Sequence, residues 1–181
     1  GSRRWAQEGY FEGTDYGANS FFASVEKRIN KNHSLNFTAI YAQNTRGKSS
    51  PNTNEVNNLM GIKYNSFWGW QDGKKRNSRD KDVEEPILML SHFWKMSDKT
   101  TLTTSVAYQT GSIGNSRLDF QSANNPDPTY YKNLPSYFSN LGDTAGANAA
   151  QNYFLNNSQI NWNAMYYANQ FGSVNPGKSV Y

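Results

Sequence analysis

Two aromatic clusters hold the residues of this sequence best suited to binding a ligand. Trp68 and Trp70 flank one glycine, and Tyr130 and Tyr131 are adjacent. Large rings with a polar edge suit sites that are half apolar and half wet, such as ligand grooves. The sequence therefore indicates these four as candidate ligand-binding residues on loops. Packing of one loop against another, or a belt of aromatic residues at a membrane interface, would explain the same rings.

The sequence contains no recognisable catalytic or metal-binding motif. There is no nucleophile elbow, phosphate-binding loop or metalloprotease helix. Glu84 and Glu85 are adjacent, so in a strand they would point to opposite faces and could not act together as a glycosidase pair. His33 and His92, without any cysteine, are too few ligands for a convincing zinc site. We therefore expect a protein that is not an enzyme, with no catalytic residue, metal or cofactor.

The charge pattern argues against a nucleic-acid partner, although the net charge is +4. Within residues 72–85, five side chains are positive and five are negative. A surface that binds phosphates would not carry so many carboxylates, because they repel the phosphates. Aromatic residues make up 15% of the chain, which argues against a disordered chain.

Alternation of apolar and polar residues predicts four β-strands. In the clearest of them Leu102, Val106 and Tyr108 share one face with Thr104, and Ser105 lies on the other. Each predicted strand is long enough to cross a membrane, since a tilted spanning strand needs about 9–11 residues. The strands form two antiparallel hairpins, closed by short polar turns at residues 30–34 and 95–100. Their predicted bounds are near 17–29, 35–46, 86–95 and 101–112.

Long polar stretches, near 47–83 and 114–181, follow the two hairpins. They are too long for structureless loops of a compact soluble domain, whereas short turns at one end and long loops at the other are typical of bacterial outer-membrane barrels. The second stretch contains two helical patterns, one from a capping Thr144 to Leu155 and one at 161–170. A turn is predicted at 174–177.

These patterns predict an all-β fold: a partial transmembrane β-barrel of two antiparallel hairpins, with long extracellular loops that carry short helices. Four strands cannot close a barrel, because membrane barrels have at least eight and every strand edge in lipid must be paired. Residues 1–181 are therefore expected to be a fragment of one β-barrel domain. Its short turns should face the periplasm. The residues expected to contact lipid are Phe21, Ala23, Val25, Leu35, Phe37, Ala39, Leu102 and Val106.

Several segments resemble TonB-dependent outer-membrane receptors of the Bacteroidetes type. They occur in order over most of the chain, and the longest are the most specific. The segments are 2–14 (SRRWAQEGYFEGT), 46–51 (RGKSSP), 64–79 (YNSFWGWQDGKKRNSR), 84–86 (EEP) and 125–137 (NPDPTYYKNLPSY).

The resemblance implies a 22-stranded barrel with an N-terminal plug in the bacterial outer membrane. Such a protein imports a nutrient ligand, driven by the proton gradient of the inner membrane through TonB. This chain would be an interior slice of that barrel. Its partners would be outer-membrane lipid, the remaining strands and plug, TonB through parts absent here, and in some members a surface lipoprotein lid. The alternative is a soluble secreted β-rich module that binds a glycan or protein ligand.

Overall fold

A computed structural model describes residues 1–120, 123–172 and 180–181 of the chain. The turn predicted at 174–177 lies outside these residues. The chain divides into two compact units. The sheet unit consists of Gly1–Ala6, Tyr16–Arg46 and Lys81–Gly114, and the loop unit consists of Gln7–Asp15, Gly47–Asp80 and Asn115–Tyr181.

The described residues are mostly antiparallel β-sheet, as the sequence predicts. Strand β3 is central, because β2 pairs with one side of it while β6 and β7 share the other. Beyond these, β1 pairs with β2, β8 with β7, and β9 with β6. The strands in chain order are β1 Ser2–Ala6, β2 Tyr16–Arg28, β3 His33–Gly47, β4 Trp68–Gln71, β5 Lys74–Asn77, β6 Asp80–Glu84, β7 Ile87–Ser97, β8 Thr100–Gln109 and β9 Ser112–Asn115.

The four predicted strands correspond to β2, β3, β7 and β8, and both predicted hairpins are confirmed. The two hairpins also pair with each other through β3 and β7. Within the described residues the seven-stranded sheet remains open, because β1 at one end and β8 and β9 at the other each pair on one side only. A closed barrel is therefore not part of this structure.

The predicted strand 101–112 is wrong at its end. Strand β8 stops at Gln109, and β9 resumes only at Ser112. Gly111 has a φ of +149°, and a Cβ atom there would lie 2.0 Å from the carbonyl oxygen of Glu84. Pro86, which lacks an N–H donor, separates β6 from β7 at the same level and accepts a hydrogen bond from Thr110 N at 3.3 Å. The break between β6 and β7 therefore lies beside the break between β8 and β9.

The small hairpin of β4 and β5 lies where no strand was predicted, and so do two strands of the large sheet, β1 and β6. β1 pairs Ser2 with Ser20 of β2, and β6 occupies the end of the predicted loop 47–83. Their sequences, Ser-Arg-Arg-Trp-Ala and Asp-Lys-Asp-Val-Glu, contain almost no apolar alternation. They are strands because the neighbouring strands β2 and β3 are long enough to pair with them, which is information that a local pattern does not carry.

Register divides the sheet into an apolar face and a polar face. The row Val25, Phe37, Leu90, Val106 runs across β2, β3, β7 and β8 on one side. One residue along each strand, on the opposite side, the corresponding row is Glu26, Asn36, Ser91, Ser105.

The apolar face is exposed in this chain. Val106 keeps 66% of its surface accessible and Phe21 keeps 54%. Water-soluble proteins rarely leave so large a continuous apolar surface uncovered. The exposed apolar residues that register places on this face are Phe21, Val25, Leu35, Phe37, Leu88, Leu90, Leu102, Val106 and Tyr108.

The polar face is joined by cross-strand hydrogen bonds. Ser24 and Thr38 lie 2.9 Å apart between their hydroxyl oxygens, and Ser91 and Ser105 lie 2.8 Å apart. Asn36 Nδ2 also donates to Ser24 Oγ at 3.0 Å. These polar groups therefore satisfy one another's hydrogen-bonding capacity across the strands.

Both short turns lie at the same end of the sheet. Asn30 closes the first, because its Oδ1 accepts from the backbone N–H groups of Asn32 and His33 at 2.8 and 3.0 Å. The turn is shorter than predicted, since β3 already begins at His33. Lys95 N donates to Asn32 O at 2.8 Å, so the end of β7 and the turn that follows it lie beside the first turn.

Both helices predicted from the sequence are present, as α3 and α4. The predicted cap Thr144 is wrong, because Asp143 precedes it and accepts from Gly146 N at 2.7 Å through its carboxylate. Of the described helices, none has the length and apolar character needed to cross a membrane. The helices are α1 Asn54–Met60, α2 Pro135–Asn140, α3 Thr144–Asn156 and α4 Trp162–Phe171, and a 3₁₀ turn spans Tyr131–Asn133.

The two faces differ in a way that one pair of substitutions can test. If the apolar face lies in lipid, Val106→Arg should cost about 2–4 kcal/mol near the bilayer midplane. Its neighbour Ser105 lies on the polar face, so Ser105→Arg should be tolerated. The measurement is the yield of folded, membrane-assembled protein for each variant, and equal yields would refute the assignment of the faces.

Candidate functional site

The four candidate ligand-binding residues all lie in the loop unit, which has two buried clusters of its own. One cluster is built from α1, α3 and the segments between the strands. The other lies around the start of α4. The buried residues are Val56, Tyr64, Leu134 and Phe154 in the first cluster and Ile160, Trp162 and Met165 in the second. The described residues of the predicted loops 47–83 and 114–181 therefore fold around two small cores of their own.

Buried asparagine side chains hold the irregular backbone of this unit together. Asn65 is fully buried; its Nδ2 donates to the carbonyl oxygens of Glu12 and Lys48, and its Oδ1 accepts from the N–H groups of Ser50 and Phe67. Asn77 also donates to Lys48 O, at 2.9 Å. These amides take the place of a sheet ladder, because a buried backbone group without a partner is costly.

Trp68 and Trp70 lie on the small hairpin of β4 and β5. Its two-residue turn, Asp72 and Gly73, has positive φ at both positions, 49° and 74°, as a type I′ turn requires. The Asp-Gly pair is a known hairpin signal, from which this hairpin could have been predicted.

The hairpin separates the two tryptophans. Trp68 is only 4% exposed, whereas Trp70 is 54% exposed. The rings contact each other edge to face, with centroids 5.6 Å apart. Trp68 is therefore a core residue of the loop unit rather than a surface for stacking, and the expectation for Trp68 is corrected. Trp70 keeps a face free for a ligand.

Gly13 lies against the Trp68 ring. A Cβ atom on Gly13 would lie 2.2 Å from the ring, and its φ is +65°. Only glycine adopts this conformation readily and leaves room for the indole. The indole Nε1 of Trp68 is buried and has no hydrogen-bond partner among the described residues.

A charged pair lies over the tryptophans. Lys75 Nζ lies 2.6 Å from Glu8 Oε1 and 4.6 Å from the centre of the Trp68 ring. The hydrogen bond from Lys75, followed by one from Gly13 N, holds the pKa of Glu8 below its usual value. This arrangement fixes segment 7–15 to the hairpin, and the Lys75 ammonium occupies the ring face that Trp68 would otherwise offer to a ligand.

Tyr130 and Tyr131 begin a chain of aromatic contacts. Their ring centres lie 4.9 Å apart, and Tyr131 contacts Tyr137, which contacts Phe138. Tyr131 is 58% exposed. Unlike Trp68, it presents its ring to the surface.

Tyr130 also lines a cavity of about 1170 Å³. Arg117 and Lys132 add cationic donors, and Asn125 adds an amide. Tyr153 of α3 adds a second ring. Arg117, Lys132 and Tyr153 are not among the candidates predicted from the sequence, because three separate segments of the chain bring them together. The arrangement suits a polar ligand that also offers an apolar face.

The structure does not bring the four candidates into a single site. Trp68 contacts Trp70 and Tyr130 contacts Tyr131, but no ring contact within the described residues joins the two pairs. In the same residues, no three histidine, aspartate or glutamate side chains lie close enough to hold a metal ion. Comparison with protein-family models, curated proteins and solved structures found no match to this chain.

The contact of Gly13 with Trp68 predicts that adding one methyl group at Gly13 strongly lowers the stability of the loop unit. Gly13→Ala should destabilise the loop unit by about 2–4 kcal/mol, because it combines a positive φ with overlap on a buried ring. Gly17→Ala is the matched control, since nothing lies within 4 Å of a Cβ there. The measurement is the rate of proteolysis within residues 47–80. Equal rates for the two variants would contradict this role of Gly13.

Proposed function

We propose that this chain is an interior segment of the barrel of a TonB-dependent outer-membrane transporter, which imports a nutrient ligand and is not an enzyme. The observation that carries the proposal is the two-faced sheet. Its apolar face is continuous over four strands and exposed, while serine and threonine hydroxyl groups on the opposite face form hydrogen bonds with one another. A barrel in a membrane needs this division, with lipid outside and a polar interior.

The dimensions of the strands support a membrane location. β2, β3, β7 and β8 have 13, 15, 11 and 10 residues. A tilted strand needs about 9–11 residues to cross the hydrocarbon layer. All four strands meet this length, and the longer two extend past it at one end. Strands of soluble domains are usually about 5–6 residues long.

Aromatic residues mark both ends of the apolar face. Trp94 lies near the short turns and is paired with Leu102. Tyr108 and Tyr41 lie near the other end, beside Leu88 and Phe21 respectively. Tryptophan and tyrosine are enriched at the two interfaces between membrane and water. The order aromatic, aliphatic, aromatic along the strands is the pattern that a membrane barrel presents to lipid.

The proposal also explains why the outer strands of the sheet each pair on one side only. In hydrocarbon the open edges at β1 and β8 must pair with further strands, because every backbone N–H and C=O needs a partner there. The family resemblance supplies the other partners: a plug inside the barrel, TonB below it, and in some members a lipoprotein lid. Trp70, Tyr130 and Tyr131 would contact the imported ligand from the loop unit.

The alternative, a soluble secreted module that binds a glycan or protein, draws support from the loop unit. That unit has its own buried clusters and the cavity beside Tyr130. It does not account for the sheet, whose apolar residues would need a cover that the described residues do not provide. We therefore favour the transporter.

A labelling experiment tests the proposed topology. The chain contains no cysteine, so single cysteines can be introduced without background. Lys31→Cys places one in the short turn, and Lys74→Cys places one in the loop unit. A large maleimide reagent that cannot cross the outer membrane should label intact cells carrying Lys74→Cys only.

The matched control is permeabilised cells, where the reagent should label both variants. Labelling of Lys31→Cys on intact cells would show that the short turns face outward. That result would overturn the proposed orientation in the membrane.

A further inference from the structure

A pair of adjoining cavities lies at the short-turn end of the sheet. The larger has a volume of about 740 Å³, and the smaller about 280 Å³. Both are lined by Arg28, Lys31 and Lys95 together with Asn30 and Asn32. Three cationic side chains from β2, the first turn and β7 therefore converge on one place. We call this place the turn-end groove.

Register places the groove on the polar face of the sheet. Arg28 is paired with Ser34, Ser34 with Phe93, and Lys95 with Thr101, and all these residues line the smaller cavity. They lie on the face opposite to Val106. A ligand of the groove therefore approaches from the polar face of the sheet, whatever covers the apolar face.

The cations of the groove are only partly neutralised. Lys95 forms an ion pair with Asp98 at 2.7 Å, but Asp98 is almost fully exposed. Arg28 uses its Nε to donate to Asn30 O at 3.3 Å, which leaves the terminal nitrogens of the guanidinium for a ligand. Lys31 forms no ion pair among the described residues. The unpaired donors favour an anion.

Three further features limit the kind of anion. Glu26 lines the smaller cavity and would repel a dense polyanion such as a chain of phosphates. Asn30 has its Oδ1 occupied by two backbone N–H groups, so its amide Nδ2 can donate to a peptide carbonyl. The ring of Phe93 also lines the smaller cavity and offers an apolar surface.

We propose that the turn-end groove binds an acidic polypeptide segment on the polar face of the sheet. Arg28 and Lys31 receive its carboxylates, Asn30 donates to its backbone, and Phe93 contacts an apolar part of it. Spaced carboxylates on a peptide avoid Glu26, whereas a compact phosphate cluster does not. The groove is independent of the lipid contact proposed for the other face.

The test uses the whole chain kept in detergent micelles and a fluorescent hexaglutamate peptide as the probe. Fluorescence anisotropy should show binding that weakens as salt is added, because exposed charges are screened. The double variant Arg28→Gln/Lys31→Gln should bind about tenfold more weakly, since each lost contact involves a charged group. If the double variant folds poorly, the single variant Lys31→Gln replaces it. Lys31 lies in the exposed turn, and its substitution alone should cause part of the loss in binding.

The matched control is Lys27→Gln/Lys99→Gln, which removes the same charge from the same end of the sheet. Neither residue lines the groove, and Lys27 lies on the apolar face. This control should bind as the unchanged chain does. Equal loss in both double variants, equal binding of a hexaglutamine peptide, or displacement by inorganic phosphate at the peptide's own concentration would each overturn the proposal.

A separate measurement distinguishes this proposal from the transporter. If the chain binds hexaglutamate through Arg28 and Lys31 but is labelled at Lys31→Cys on intact cells, the groove stands and the proposed topology fails. If the topology holds and the two double variants bind alike, the groove fails and the transporter stands.

Discussion

The pairing of β3 with β2 on one side and β7 on the other is the constraint on which the sheet depends. Side chains alternate along a strand, so a slip by one residue would exchange the two faces. The observed register brings Phe37 beside Val25 and Leu90, and Asn36 beside Glu26 and Ser91. Cross-strand pairs of this kind stabilise a sheet and define its register. The apolar face, the cross-strand hydrogen bonds between hydroxyl groups on the other face and the turn-end groove all follow from this one alignment.

The loop unit depends on a different device, buried amides and close glycine contacts instead of long strands. Asn65 alone connects the segments before α1, after α1 and around Glu12 through its four hydrogen bonds. Such amides hold a fixed shape without a large apolar core, which suits a chain of which only 36% is hydrophobic.

Local pattern was enough to predict the elements that carry strong periodicity or clear turn signals. The alternation of Leu102, Thr104 and Val106 located β8, and helices α3 and α4 lie within two residues of their predicted bounds. What could not be predicted depends on distant neighbours. β1 and β6 are strands because β2 and β3 extend beside them, and the burial of Trp68 follows from Gly13, which lies far from it in sequence.

The central claim is that the apolar face of the sheet is made for lipid and not for water. The most direct measurement is the state of residues 1–181 in buffer without detergent, by light scattering and thermal unfolding followed by circular dichroism. We expect aggregation, or folding only when detergent or the neighbouring strands are supplied, because exposed apolar rows and two unpaired edges remain. A monomer with a sharp cooperative transition in detergent-free buffer would contradict the claim.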